Sequence, residues 1–109
     1  EGVFEFWGDA PGEAAEAYIR DYPLLQDGQG FRVVKVPHHG SRDSLAPGFY
    51  DRLDRGVAVI SVGTNSYGHP SKEVLEAADR SSALLRRTDR DGAVTVLLTP
   101  LGGAVRAYR

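Results

Sequence analysis

The chain has 109 residues, 41% of them hydrophobic, no cysteine and a formal net charge of −2. That length and apolar content suit one small domain with its own core, and the near-neutral charge argues against a polyanion-binding surface spread over the whole molecule. The lack of cysteine excludes disulfides, thiolate metal sites and thiol catalysis, and no apolar run approaches the roughly 20 residues a membrane-spanning helix requires.

VFEFW (3–7) alternates bulky apolar residues with Glu5 and stops at Gly8-Asp9, the pattern of a half-buried strand followed by a turn. The same opening has no basic region or apolar core of a signal peptide, and with no methionine anywhere the sequence reads as a segment of something longer. PGEAAEAYIRDY (11–22) predicts a helix, with Pro11 in its first turn and Ala14, Ala15, Tyr18, Ile19 and Tyr22 along one face. PLLQDGQG (23–30) reads as a loop and FRVVKV (31–36) as a β-branched strand. APGFYDRLDR (46–55) predicts a short helix with Phe49, Tyr50 and Leu53 inward. GVAVISVG (56–63) follows as a strand apolar enough to need cover on both faces. TNSYGHP (64–70) is a loop of turn formers, and SKEVLEAADR (71–80) is a helix with Val74, Leu75 and Ala78 on one side. ALLRRT (83–88) and AVTVLL (93–98) are expected to pair as a hairpin across DRDG, and AVRAY (104–108) to add a last strand after PLGG. The expected fold is one α/β unit, a mixed sheet with helices mainly on one face. Its other face lacks cover and is expected to self-associate or to pack against a neighbour.

Three of these strands end in chemically capable groups: the first in Asp9, the second in His38, His39 and Ser41, the third in Asn65, Tyr67 and His69. Each has a plain structural role open to it. Asp9 can cap the helix that follows, Ser41 can cap or turn the chain, His69 can lead into the next helix, and the His doublet can be a solvated turn. Taken together, imidazole nitrogens and a carboxylate are the donor set of a divalent metal, and loops leaving strand ends are where α/β sheets build sites. One imidazole of the doublet can hold an ion while its neighbour serves as second ligand, phosphate contact or proton donor. Arg80, Arg86, Arg87 and Arg90 form a local basic cluster, so a domain that binds nucleic acid or a partner without hydrolysing anything is the alternative reading.

The order GD, KVPHHGS, AVISVGTNSYGHP and RTDRDGAV resembles the C-terminal half of a metallo-β-lactamase-fold domain. More narrowly, it resembles the hydrolase-like domain of ComEC-type DNA internalisation proteins, over residues 3 to 98. The resemblance implies that residues 1–109 are half of an αββα sandwich within a metal-dependent phosphodiesterase or nuclease. It implies action on single-stranded DNA at the outer face of a bacterial cell membrane, with a membrane channel domain elsewhere in the polypeptide. By position, Asp9 corresponds to an aspartate bridging two divalent ions, Zn²⁺ or Mn²⁺, and His38 or His39 to a metal ligand. His39 corresponds to a catalytic group, His69 to a metal ligand or a substrate-contacting catalytic acid, and Ser41, Asn65 and Tyr67 to substrate contacts. The HxHxDH motif that supplies much of the metal shell is absent, so the segment alone is expected to be inactive. A related envelope phosphodiesterase shares the same chemistry.

Overall fold

The computed structural model describes residues 2–21, 31–46, 48, 50 and 56–109. Four short runs rich in β-branched or aromatic residues become strands β1 (Gly2–Phe6), β2 (Phe31–Lys35), β3 (Val57–Ile60) and β4 (Leu84–Arg87). They lie side by side in chain order and every pairing is parallel, with Val33 opposite Val57 and Val57 opposite Leu84. Helix α1 (Gly12–Asp21) falls between β1 and β2, and α2 (Lys72–Arg80) between β3 and β4. Ser71 starts α2 by accepting the Val74 N–H at 3.2 Å, the N-cap geometry that satisfies one orphan donor of the first turn. The expected loop 23–30 and most of the expected helix 46–55 lie outside the described residues, although Tyr50 from that stretch is buried.

Side chains alternate across the sheet, so its two faces differ in cover. Val34, Val36, Ala58 and Ile60 point to one face and pack with Ala15 of α1, with Val74, Ala77 and Ala78 of α2, and with Tyr50. Ile60 is fully buried there, and cutting it to alanine would cost roughly 2–5 kcal/mol. Glu5 and Arg32, each with a nearly buried side chain, approach to 3.5 Å and tie β1 to β2.

The opposite face is only partly covered. A one-turn helix α3 (Thr88–Asp91) follows β4 and leads into β5 (Ala93–Thr99) and β6 (Gly102–Tyr108), an antiparallel pair. Val94 and Val96 face Phe4, Phe6, Val33 and Val59 across a groove of about 320 Å³. Val33 and Val57 are buried, whereas Phe4 is 45% and Phe6 75% exposed.

The hairpin expected across DRDG does not form. β4 pairs with β3 and β5 with β6, so the parallel and antiparallel pairings occupy two separate sheets where one mixed sheet was expected. β3 takes β4 as its second parallel neighbour, and between β4 and β5 residues 88–91 wind one helical turn, the Asp91 carboxylate accepts the Arg87 N–H at 2.8 Å, and Gly92 leaves with φ of 78°. Asp91-Gly92 does turn the chain, but out of the plane of the first sheet.

Candidate functional site

Because the four strands are parallel, the chain leaves them all at one edge. Gly8–Asp9 follow β1, Pro37–Gly40 follow β2, residues 61–69 follow β3, and Thr88 follows β4. This carboxyl edge is where an open α/β sheet presents loop groups from a rigid base.

The His doublet sits in a 3₁₀ turn, Pro37–Gly40, in an unusual backbone state. His38 has φ 47° and ψ 42°, and His39 has φ 54° and ψ 25°, both left-handed, and Gly40 continues with φ 80°. For an L-residue this conformation costs roughly 1–2 kcal/mol, so the surroundings must hold it. They do so at three points. The His38 N–H donates to the Gly8 carbonyl at 2.7 Å, the Ser41 N–H donates to the His38 carbonyl at 2.9 Å, and the Ser71 N–H donates to the Gly40 carbonyl at 2.9 Å. Left-handed winding thus replaces the opposite-face placement that adjacent residues in an extended chain would have.

His39 makes the contact that bears most on chemistry. Its Nδ1 lies 2.6 Å from the Ser61 carbonyl oxygen. A carbonyl can only accept, so this contact puts a proton on Nδ1, and the neutral form of the ring then has its lone pair on Nε2. An imidazole fixed in this way is the usual form of a metal-ligating or proton-accepting histidine. His39 is exposed, while His38 and His69 are half-buried with ring centroids 5.6 Å apart. Tyr67, 81% exposed, stacks on His69 at 5.8 Å.

Asn65 builds the loop that carries His69. Its Nδ2 donates to the carbonyls of Gly63 at 3.0 Å and His69 at 2.8 Å, and its Oδ1 accepts the N–H groups of Tyr67 at 3.0 Å and His69 at 3.1 Å. All four hydrogen-bonding positions of the amide are spent on backbone, so in this fold Asn65 shapes the loop that presents His69. Ser41 is buried, its Oγ accepts the Asp43 N–H at 3.2 Å, capping the 3₁₀ turn Arg42–Ser44, and it also lines the cleft beside His69. Asp9 is exposed in the turn that His38 grips through Gly8. A cleft of about 390 Å³ opens beside His69, lined by Arg42, Asp43, Tyr67, Lys72 and Glu73 among others.

These donors share one rim without forming a metal centre. Among the described residues no three His, Asp or Glu side chains lie close enough to hold an ion.

Two arginines of the basic cluster are engaged by neighbouring carboxylates. Arg87 grips Asp89 with Nε at 3.1 Å and Nη2 at 2.8 Å, and Arg90 Nε meets Asp91 at 3.1 Å. The Arg87 hydrogen bond holds the Asp89 carboxyl below its ordinary range, and the Arg90 side chain does the same for Asp91. Two features have no counterpart in the sequence reading, the Ser61 carbonyl and the Thr88 hydroxyl. A backbone oxygen leaves no mark on residue identity, although Thr88 lies inside the RTDRDG motif.

Fold and rim together define an α/β segment that offers imidazoles at the carboxyl edge of a parallel sheet. In sequence the chain is similar to ComE operon protein 3 of Bacillus subtilis (strain 168), at 34% identity over 88 residues. The match takes in 80% of this chain and 11% of that protein, so the chain spans about a tenth of its relative. No protein-family model matches the chain, and no solved structure matches it.

Proposed function

We propose that the chain is part of a metal-dependent phosphodiesterase or nuclease domain in a ComEC-type protein, acting on single-stranded DNA during competence-related uptake at the outer face of a bacterial cell membrane. The similarity to a ComE operon protein supports the setting. The chemistry rests on His39, whose Nδ1–H is committed to the Ser61 carbonyl at 2.6 Å while Nε2 stays available on an exposed rim. A left-handed backbone at two successive histidines, held from three sides, is strain of the kind that active-site turns retain. The parallel sheet, clothed by helices on one face and half-bare on the other, supports the half-sandwich reading.

In this reading His39 and Asp9 offer donors to divalent ions such as Zn²⁺ or Mn²⁺, which would supply Lewis-acid charge neutralisation at phosphate, and the remaining donors come from outside these residues. His38 and His69 face each other and can hold the proton that a departing alkoxide needs. Tyr67 and the cleft beside it offer a stacking surface and a path for a strand. The test is made in the full-length protein, with hydrolysis of single-stranded DNA and bound metal measured together. Asp9→Ala should lose both, one histidine variant of the doublet should lose metal, and the other should lose turnover with metal retained. Unchanged hydrolysis in Asp9→Ala, His38→Ala and His39→Ala refutes the proposal. The 109-residue chain alone should neither bind two ions nor cleave DNA.

A further inference from the structure

We propose that Thr88 is the positioning residue for His39, acting through the peptide group between Ser61 and Val62. Past Ile60 the backbone ladders on both sides of β3 have ended, since the last pairing with β4 is Ile60 opposite Arg87 and the last with β2 is Val59 opposite Lys35. Side chains continue the pairing. From the β4 side, the Thr88 Oγ1 accepts the Val62 N–H at 2.8 Å and lies 2.8 Å from the Val62 carbonyl. Its single proton goes to that oxygen in preference to the Ile60 carbonyl at 3.5 Å. From the β2 side, the His39 Nδ1–H donates to the Ser61 carbonyl.

The Ser61 C=O and the Val62 N–H belong to one planar trans peptide and point in opposite directions. Holding the N–H therefore sets the direction of the C=O. A hydrogen bond at the N–H end also polarises the carbonyl and makes it the stronger acceptor for imidazole. Thr88 is itself held. Asp91 accepts the Arg87 N–H at 2.8 Å, and the Gly92 N–H donates to the Thr88 carbonyl at 3.2 Å, closing the turn that presents the hydroxyl. Gly92 packs against the Tyr108 carbonyl so closely that a Cβ there would collide with it. The RTDRDG stretch thus works as a clamp on the third strand end, and its product is one tautomer and one orientation of His39. What this does for turnover rests on the hydrolytic reading above, whereas the clamp itself does not.

The experiment is ¹⁵N-resolved NMR of the histidine rings of the 109-residue chain at a pH where they are neutral. Wild type should show His39 protonated at Nδ1 with Nε2 bare; a His39 ring protonated mainly at Nε2 overturns the proposal without any variant. Thr88→Val, which keeps the shape and removes the hydroxyl, should lose the Nδ1–H form of His39 and leave the His38 and His69 rings unchanged. Thr88→Ser should restore the wild-type pattern. Should Thr88→Val fail to fold, Thr88→Ala, which also removes the hydroxyl, is read in the same way. A folded Val or Ala variant that keeps the His39 signature, or a Ser variant that loses it, refutes the clamp. Because none of these readouts needs activity, a failure here is distinct from a failure to find hydrolysis.

Discussion

Replacing Gly40 with alanine tests whether the histidine turn and the His69–Pro70 loop are packed as one body. Gly40 has φ 80°, and a Cβ there would lie 2.7 Å from Pro70 Cβ, 3.1 Å from Pro70 Cα and 3.6 Å from Ile60 Cγ2. The left-handed backbone costs an L-residue roughly 1–2 kcal/mol. Overpacking adds roughly 1–3 kcal/mol, because the proline ring is rigid and Ile60 is fully buried and cannot swing into solvent. The sum, roughly 2–5 kcal/mol, is a large part of the 5–15 kcal/mol typical of a domain. Gly8 is the control: it also has a positive φ, 54°, but a Cβ there meets nothing within 4 Å. Gly8→Ala should therefore cost only the backbone part. Urea denaturation followed by circular dichroism reads both, and with a slope of about 2 kcal/mol per molar the Gly40 midpoint should fall by about 1–2.5 M. The difference between the two variants isolates the steric part. If Gly40→Ala costs no more than Gly8→Ala, the loops yield freely and the rigid rim argued above is wrong.

Three further outcomes are expected. Burial pushes the Tyr50 phenol above its ordinary value, so the folded chain keeps it neutral while the unfolded chain ionises near pH 10; stability present below that pH should fall as pH rises above it, and Tyr50→Phe should remove this part of the alkaline loss in a series of melting curves. The Asp91 carboxyl is held low first by the Arg90 side chain and then by the Arg87 N–H, so its contribution is present above about pH 4 and lost as pH falls through the depressed value. An acid step in the Arg87 amide shift should report this and vanish in Asp91→Asn. The bare sheet face, with Phe4, Phe6 and Leu84 exposed, should make the isolated chain self-associate in sedimentation at high micromolar concentration, and Phe6→Ser should weaken that; a monodisperse wild-type monomer contradicts it.

Side-chain chemistry made part of this molecule readable in advance. β-Branched runs mark β2 and β3 because burial on a sheet selects them, and Ser71 marks the start of α2 because its hydroxyl completes a helix end. Asp91-Gly92 marks a turn equally well, yet turn chemistry says only that the chain changes direction. Which strand β4 lies beside is decided by the long-range demand of β3 for a second parallel neighbour. The gathering of His38, His39 and His69 at one edge follows from strand polarity, which apolar patterning reveals. The left-handed winding of the doublet does not, since it is held by the Gly8, Gly40 and Ser71 backbones rather than by any preference of histidine strong enough to read. The roles of Ser61 and Asn65 escape for the same reason: one acts through its carbonyl, and the other spends its amide on backbone that only the folded loop brings near.

The sequential order of four parallel strands also governs how the molecule can be made. Each strand's partner lies about 25–30 residues away along the chain, so no pairing in this sheet is local and each must close a long loop. At a synthesis rate of about 5–20 residues per second, a strand leaving the ribosome waits on the order of seconds for its neighbour, whereas the β5–β6 hairpin can close in about 1–10 μs once both arms exist. The sheet can therefore grow in one direction, each new strand docking on the edge the last one left open. At every stage until β4 arrives, the nascent chain carries an unsatisfied parallel edge, and among the described residues no strand pairs with the outer side of β4.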